Sequence, residues 1–276
     1  MIIIASLTIF LLYIIFPWKH LSEHKLSKSR KLLFFAHRGI HNNTYENSIK
    51  SFNNAFDLHA DGIELDVQYT YDDKIVIHHD PFIQTDSKKI IICEQSYNNI
   101  NRILVDDKYH ISRIPLLVDL LLILPDKVFI NIEIKANGSN VLDIVTDIID
   151  FAHSYSLHDR LMVSSFNPKF LKQIKAQDKN IYTGLLIERD FKVFNINISF
   201  FSSFINFISM IYSKPDAINP EINYLNLYMK YIIKIYGLSI FPYTINSLKD
   251  LNKAESLFVN GFFSDNKKFI NQCKQN

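Results

Sequence analysis

Cysteine is scarce in this chain. Cys93 and Cys273 are its only thiols, and their spacing matches no metal-binding or redox motif. That excludes cysteine-rich zinc modules and disulfide scaffolds, and leaves two buried thiols as the expectation. A strong charge of one sign is missing too: 30 basic and 28 acidic residues leave a formal net charge of +2. A dedicated nucleic-acid binder carries a marked basic excess, so nucleic acid is not expected as a partner. Glycine, at 6 residues in 276, is low for a loop-rich enzyme. No internal repeat or low-complexity tract is present. What the chain does have is apolar material. A composition of 48% hydrophobic against 21% charged residues argues against disorder and supplies one large core.

The N-terminus lacks charge. Met1 to Pro17 carry no charged side chain, and Trp18 follows. A cleavable signal peptide would need a basic start and a small-residue cleavage site, and neither is there. The run is about the minimum of ~17 residues for a membrane-spanning helix, so residues 1–18 are expected to be an uncleaved transmembrane anchor. Residues 19–31 form a basic linker with Lys19, Lys25, Lys28, Arg30 and Lys31. By the positive-inside rule the protein is expected to be a single-pass membrane protein whose following domain faces the cytoplasm.

From residue 32 to 276 short apolar runs alternate with longer amphipathic ones. Candidate strands are Leu33–Ala36, Gly62–Val67, Val128–Ile134, Leu161–Ser165, Tyr182–Leu186, Ala217–Asn219, Ser239–Tyr243 and Gly261–Ser264, with an extra short strand at Lys74–Ile77. Helical spacing covers Asn47–His59, Val141–Tyr155, Tyr224–Ile235 and Ser247–Val259. Strands separated by helix-length segments imply parallel βα units. Eight of them in this length predict an α/β fold closed into a TIM (β/α)8 barrel, with a doubly wound sheet as the alternative. The apolar segment Val193–Ser213 has two readings, a barrel helix or an interfacial helix resting on a bilayer.

In such a barrel the chemistry gathers at the C-terminal strand ends. His37-Arg38-Gly39 ends the first strand, Glu64 and Asp66 lie on the second, His78-His79-Asp80 ends the extra strand, and Glu133 and Lys135 end the third. Residues i and i+2 of a strand share a face. Glu64 with Asp66, and Glu133 with Lys135, therefore point together. Any one of these could be an exposed sheet face, a salt bridge or a core histidine, but four consecutive charged strand ends point to a site. Inward carboxylates are costly unless paired or metal-bound. Three of them suit a hard divalent cation, Ca2+ or Mg2+, and the lack of nearby cysteine argues against zinc.

The ordered set His37-Arg38-Gly39, Glu46-Asn47-Ser48, Glu64-Leu65-Asp66, His79-Asp80 and Asn131-Ile132-Glu133-Ile134-Lys135 resembles the glycerophosphodiester phosphodiesterase family. Weaker matches follow in order: Ser165-Phe166-Asn167, Tyr243-Thr244-Ile245-Asn246 and Gly261-Phe262-Phe263-Ser264-Asp265. The resemblance implies a TIM barrel with a small insertion, here about residues 74–115, and hydrolysis of glycerophosphodiesters to sn-glycerol 3-phosphate and an alcohol. It implies His37 and His79 as general acid and base, and Glu64, Asp66 and Glu133 as metal ligands. Arg38 would grip the phosphate beside Lys135, and Tyr243 would wall the glycerol. It also suggests attack by the glycerol 2-hydroxyl through a cyclic phosphate. The sequence departs from the family pattern at Tyr45, where proline is usual, at Ser48, and at Pro81-Phe82-Ile83. The last puts substrate preference in question, with His78 as the substitute acid if His79 points away. A related alternative is a lysophospholipase D acting on membrane lysophospholipids. A catalytically dead scaffold would have lost a motif residue, and none is lost.

Overall fold

The computed structural model describes residues 24–29, 31–85, 89–103, 105–106, 111–135, 143–189, 192–193, 196–197 and 199–273. The expected membrane anchor lies outside them. Among the described residues no helix is long and apolar enough to cross a membrane.

Eight strands dominate: β1 (Leu33–Ala36), β2 (Gly62–Tyr69), β3 (Phe129–Ile134), β4 (Leu161–Ser165), β5 (Tyr182–Ile187), β6 (Ala217–Pro220), β7 (Ser239–Ile240) and β8 (Gly261–Ser264). They pair in parallel in the order β7-β6-β5-β4-β3-β2-β1-β8. No ladder joins β7 to β8. Instead, backbone bonds from Asn260 N to Ile240 O (2.9 Å), Phe263 N to Pro242 O (3.0 Å) and Ile245 N to Phe263 O (2.9 Å) cross the seam. The result is a nearly closed parallel barrel of the TIM type. β7 stops short of the expected Tyr243 because Pro242 has no N–H to continue a ladder.

Besides a one-turn helix at Tyr97–Ile100 between β2 and β3, the described helices are α1 (Lys25–Lys28), α2 (Ile49–Asp57), α3 (Asp143–Ser154), α4 (Pro168–Gln177), α5 (Ser199–Ser213), α6 (Leu227–Ile235), α7 (Leu248–Ser256) and α8 (Lys268–Cys273). Their starts follow capping chemistry rather than the apolar period. Ser48 accepts from Ser51 N and opens α2, so Asn47 is freed for another role. Asn226 accepts from Met229 N and opens α6 three residues later than expected. Asn167 followed by Pro168 opens α4, a helix the apolar pattern did not single out, although a cap plus proline at the first turn is a start signal. Of the segment Val193–Ser213, Val193 pairs with Ile196 in a short antiparallel ladder, while Ser199–Ser213 forms α5, which packs on α4 and β5 as the barrel-helix reading expects. Its outer stripe of Phe204, Ile208 and Tyr212 stays exposed.

Because both faces of a parallel sheet are covered, every second strand residue faces the helices and the others face the barrel axis. Phe34, Ile63, Leu65, Ile130, Ile132 and Val163 belong to the outer core. Leu33, Phe35, Met162, Tyr182, Ala217, Phe241 and Phe263 form a separate cluster inside, and Leu26 of α1 joins it from below, fully buried. The end at which the strands begin is thus an apolar plug. Cys93 is half-buried and free, not buried as expected, and the Cys273 side chain lies outside the description.

Between β2 and β3 the chain makes a small satellite. Ile75–Ile77 pairs antiparallel with β2, Phe82–Gln84 and Lys89–Ile91 form a hairpin, and Val76, Ile83, Ile92, Ile100 and Ile114 build a core of their own. Gln68 ties it to the barrel by donating to the carbonyls of His78 (2.8 Å) and Asp80 (2.7 Å).

Gly39 shapes the turn after β1. Its φ is +76°, and a Cβ there would lie 2.4 Å from Ser51 Oγ and 2.7 Å from the Ser51 backbone. Gly39→Ala is expected to destabilise the chain by about 1–3 kcal/mol. A urea unfolding midpoint equal to that of the unchanged chain would refute this.

Candidate active site

The interior parity that buries Phe35 at the closed end carries polar groups at the other. On β2, Glu64 and Asp66 face inward, and on β3 Asn131 and Glu133 do. All four are buried. Oxygens of Glu64, Asp66 and Glu133 lie within 4.8 Å of one another. Burial, with Asp66 and Glu133 alongside, pushes the Glu64 carboxyl well above the usual range. Burial and Asp66 do the same to Glu133. Asp66 goes the other way: burial opposes its charge, but Lys135 and Arg38 outweigh that and hold it below the usual range.

Cations sit against the cluster. Lys135, just past β3, places Nζ 2.9 Å from Asp66 Oδ1 and also bonds Glu133. Arg38 Nε is 3.2 Å from Asp66 Oδ2, and its Nη1 donates to Glu46 Oε1 at 2.9 Å. The Arg38 backbone, at φ 54°, donates its N–H to Glu64 Oε2 at 2.9 Å. Asn47, displaced from the helix cap, donates from Nδ2 to Asp66 Oδ2 at 2.8 Å.

His37 follows β1. Its Nδ1 is 2.8 Å from Asp265 Oδ1, and its Nε2 is 3.9 Å from Glu64 Oε2. Burial disfavours the imidazolium, but the Asp265 hydrogen bond and the Glu64 charge overcome it, so the His37 pKa is raised. Asn246 donates to Asp265 Oδ2 at 2.7 Å and accepts from the Asp265 N–H at 3.0 Å, which fixes the carboxylate. His79 Nδ1 is 2.7 Å from Asp80 Oδ1. Burial first, then the Lys135 charge, lowers its pKa. His78 points elsewhere: its ring lies nearly parallel to that of Tyr45 at 6.3 Å, with Nε2 3.2 Å from Phe82 O. The substitution of His78 for His79 is therefore not needed.

These groups line a cavity of ≈ 310 Å³ at the C-terminal ends of the strands. His37, Arg38, Glu64, His79, Glu133, Lys135 and Tyr243 all reach it, and Asp66 lies buried beneath through its contacts to Arg38 and Lys135. Tyr243 meets Phe166 edge to face at 6.1 Å, making an aromatic wall. The charged strand ends expected from sequence thus converge. Asn131, Phe166, Glu188 and Thr244 line the cavity as well, and Asp265 and Asn47 position its members. The period of two could have found Asn131, two residues before Glu133, and the strand-end rule could have found Asp265.

A divalent cation fits this donor set. Glu64 Oε1 is buried with no hydrogen-bond partner among the described residues. It belongs to three crowded carboxylates whose mutual repulsion a hard cation relieves. The lysine already bound to Asp66 and Glu133 leaves Glu64 as the carboxylate most in need of one.

Residues 37–268 match the model of the Glycerophosphoryl diester phosphodiesterase family. The chain is 28% identical over 244 residues to a glycerophosphodiester phosphodiesterase of Caldanaerobacter subterraneus subsp. tengcongensis, covering 85% of this chain and 94% of that one. It is 26% identical over 240 residues to one of Bacillus altitudinis, covering 84% and 93%. Among solved structures it shares the fold of the Thermotoga maritima glycerophosphodiester phosphodiesterase, with TM-score 0.69, 21% identity and 88% and 99% coverage. It also shares that of an Oleispira antarctica phosphodiesterase in complex with the product sn-glycerol-3-phosphate, with TM-score 0.70, 19% identity and 91% and 99% coverage.

Proposed function

The chain belongs to the glycerophosphoryl diester phosphodiesterase family, and from that premise we propose that it is a metal-dependent hydrolase cleaving water-soluble glycerophosphodiesters to sn-glycerol 3-phosphate and an alcohol. The observation that carries the reading is the single cavity into which two histidines, two cationic side chains and the rim of a three-carboxylate cluster project.

Glu64, Asp66 and Glu133 would hold the cation, Ca2+ or Mg2+, which when bound neutralises phosphate charge and acts as a Lewis acid. Arg38 and Lys135 add fixed positive charge where the anionic diester must sit. His37 and His79 are each tethered through Nδ1, to Asp265 and Asp80, so Nε2 is the atom of each that exchanges a proton. One takes the proton of the attacking hydroxyl and the other returns one to the departing alcohol. The glycerol 2-hydroxyl is the nucleophile we favour, since its attack gives a cyclic phosphate that water then opens. Tyr243 and Phe166 give the glycerol carbons an apolar wall.

The closed end of the barrel favours a soluble substrate over a lysolipid. Leu26 of α1 enters the core at the pole opposite the cavity. If residues 1–18 tether the chain to a membrane, as their composition implies, the tether joins the barrel far from the mouth.

The test is hydrolysis of glycerophosphocholine and of lysophosphatidylcholine by the full chain, with Ca2+, with Mg2+ and with chelator. The expected result is release of glycerol 3-phosphate from the soluble diester, lost in chelator and restored by metal. Activity indifferent to chelator would remove the metal from the proposal, and activity confined to the lysolipid would replace the substrate.

A further inference from the structure

A second constellation lies away from the cavity, near the pole at which the strands begin. His153 stands in the last turn of α3, His158 in the turn leading to β4, and Asp178 caps the C-terminus of α4. We propose that these three residues form a separate binding site for a borderline transition-metal ion of the Zn2+ class.

The argument begins with distances. His153 Nε2 is 3.1 Å and His158 Nε2 3.4 Å from the same oxygen, Asp178 Oδ2. One ligand atom from each residue lies within 4.8 Å of the other two. Ligands at about 2.0–2.1 Å from a tetrahedral Zn2+ stand about 3.3–3.4 Å apart. Two of the three separations, both from Asp178 Oδ2, therefore stand close to those between the corners of such a site, and the third is within 4.8 Å.

Ordinary ion pairing does not account for the cluster. Two protonated imidazoles sharing one carboxylate would direct N–H groups at it. Yet Asp178 Oδ2 and His158 Nε2 are both buried, and neither has a hydrogen-bond partner among the described residues. The Asp178 side chain is only 9% exposed, so water is largely kept from it. A buried oxygen and a buried ring nitrogen at this distance, without hydrogen-bonding geometry, are left unsatisfied by each other, and a shared cation would satisfy both.

The surroundings support the ligands as well. Asp178 Oδ1 accepts from the Asn180 N–H at 2.8 Å, which orients Oδ2. The His158 carbonyl is held by His24 Nε2 at 2.7 Å. The bond to Asp178 Oδ1 is of the kind that orients a carboxylate ligand in protein metal sites. The neighbouring Asp159 is engaged by Lys25 at 3.0 Å and is not part of the cluster. His153 is 56% exposed, leaving an open side for water as the fourth ligand. Two imidazoles and one carboxylate suit Zn2+ or its neighbours, whereas the all-oxygen set of the cavity suits Ca2+ or Mg2+. A bound ion would clip the ends of α3 and α4 together beside α1.

The test uses the full chain carrying Glu64→Gln and Glu133→Gln, which weakens metal binding in the catalytic cavity. After stripping with chelator it is titrated with Co2+. One equivalent is expected to bind, with the visible absorption of a four- or five-coordinate nitrogen-ligated ion, to be displaced by Zn2+, and to raise the thermal midpoint. Adding His153→Gln or Asp178→Asn is expected to weaken binding by about tenfold or more and to abolish the thermal shift, with the circular dichroism of a folded chain. His153 is largely exposed, so its replacement leaves packing intact. Absence of Co2+ binding to the doubly substituted chain, or binding unchanged by both ligand substitutions, would overturn the proposal.

Discussion

Glu64→Gln is expected to reduce kcat for glycerophosphodiester hydrolysis by about 10³-fold or more, the scale of losing a preorganised charge-stabilising element. Glu64 Oε1 is buried without a hydrogen bond among the described residues and, unlike Asp66 Oδ1, is not ion-paired to Lys135, so its charge is the one left for a cation. The same substitution should not harm the fold. Without metal, Glu64 is pushed up by burial and by Asp66 and Glu133, so its ionisation opposes folding. A carboxyl whose folded pKa is raised contributes stability below its unfolded value, about 4.3, and loses it as pH rises through the folded pKa. In chelator, the unchanged chain should therefore lose thermal stability across that interval, and Glu64→Gln should lose less. Added metal should flatten the profile of the unchanged chain. Full activity in Glu64→Gln, or a pH profile of stability identical to that of the unchanged chain in chelator, would remove Glu64 from the ligand set.

His37→Ala and His79→Ala are each expected to cost about 10²–10⁴-fold in kcat, the usual contribution of a positioned acid or base. Asp265→Asn tests how His37 is set. Asp265 does not line the cavity, and it acts by bonding His37 Nδ1. Its charge and hydrogen bond raise the His37 pKa against burial. Removing the charge should shift the limb of the pH–rate profile governed by His37 to lower pH and lower kcat more than it raises KM. A structural role alone would leave that limb where it was. Retention of full activity in His79→Ala would exclude it as acid or base, and His78, turned toward Tyr45 and Phe82, could not replace it without moving.

Much of the site was legible because β-strand geometry is simple. Once Glu64 and Asp66 share a strand, the period of two sends both to one side. The apolar Ile63, Leu65 and Val67 fix which side, since they must meet the helices. The same reasoning reads Glu133 from Ile132 and Ile134. Helix boundaries were less legible. Asn47 is as good a cap as Ser48 by propensity, and only the approach of Asp66 Oδ2 to within 2.8 Å of Asn47 Nδ2 shows why serine caps the helix and asparagine does not.

Sequence by itself determined the eight parallel βα units and the set of chemical groups at their C-terminal ends, because alternation and strand-end position are local properties of the chain, whereas closure into a barrel rather than a doubly wound sheet came from the tertiary structure. Tertiary structure decided which partners those groups meet. It joined Asp265 to His37 across 228 residues, turned His78 away and His79 inward, and brought His153, His158 and Asp178 together from three separate segments. Contacts of this kind depend on where the closed barrel puts distant strand and helix ends, a geometry that exists only once the whole core has packed.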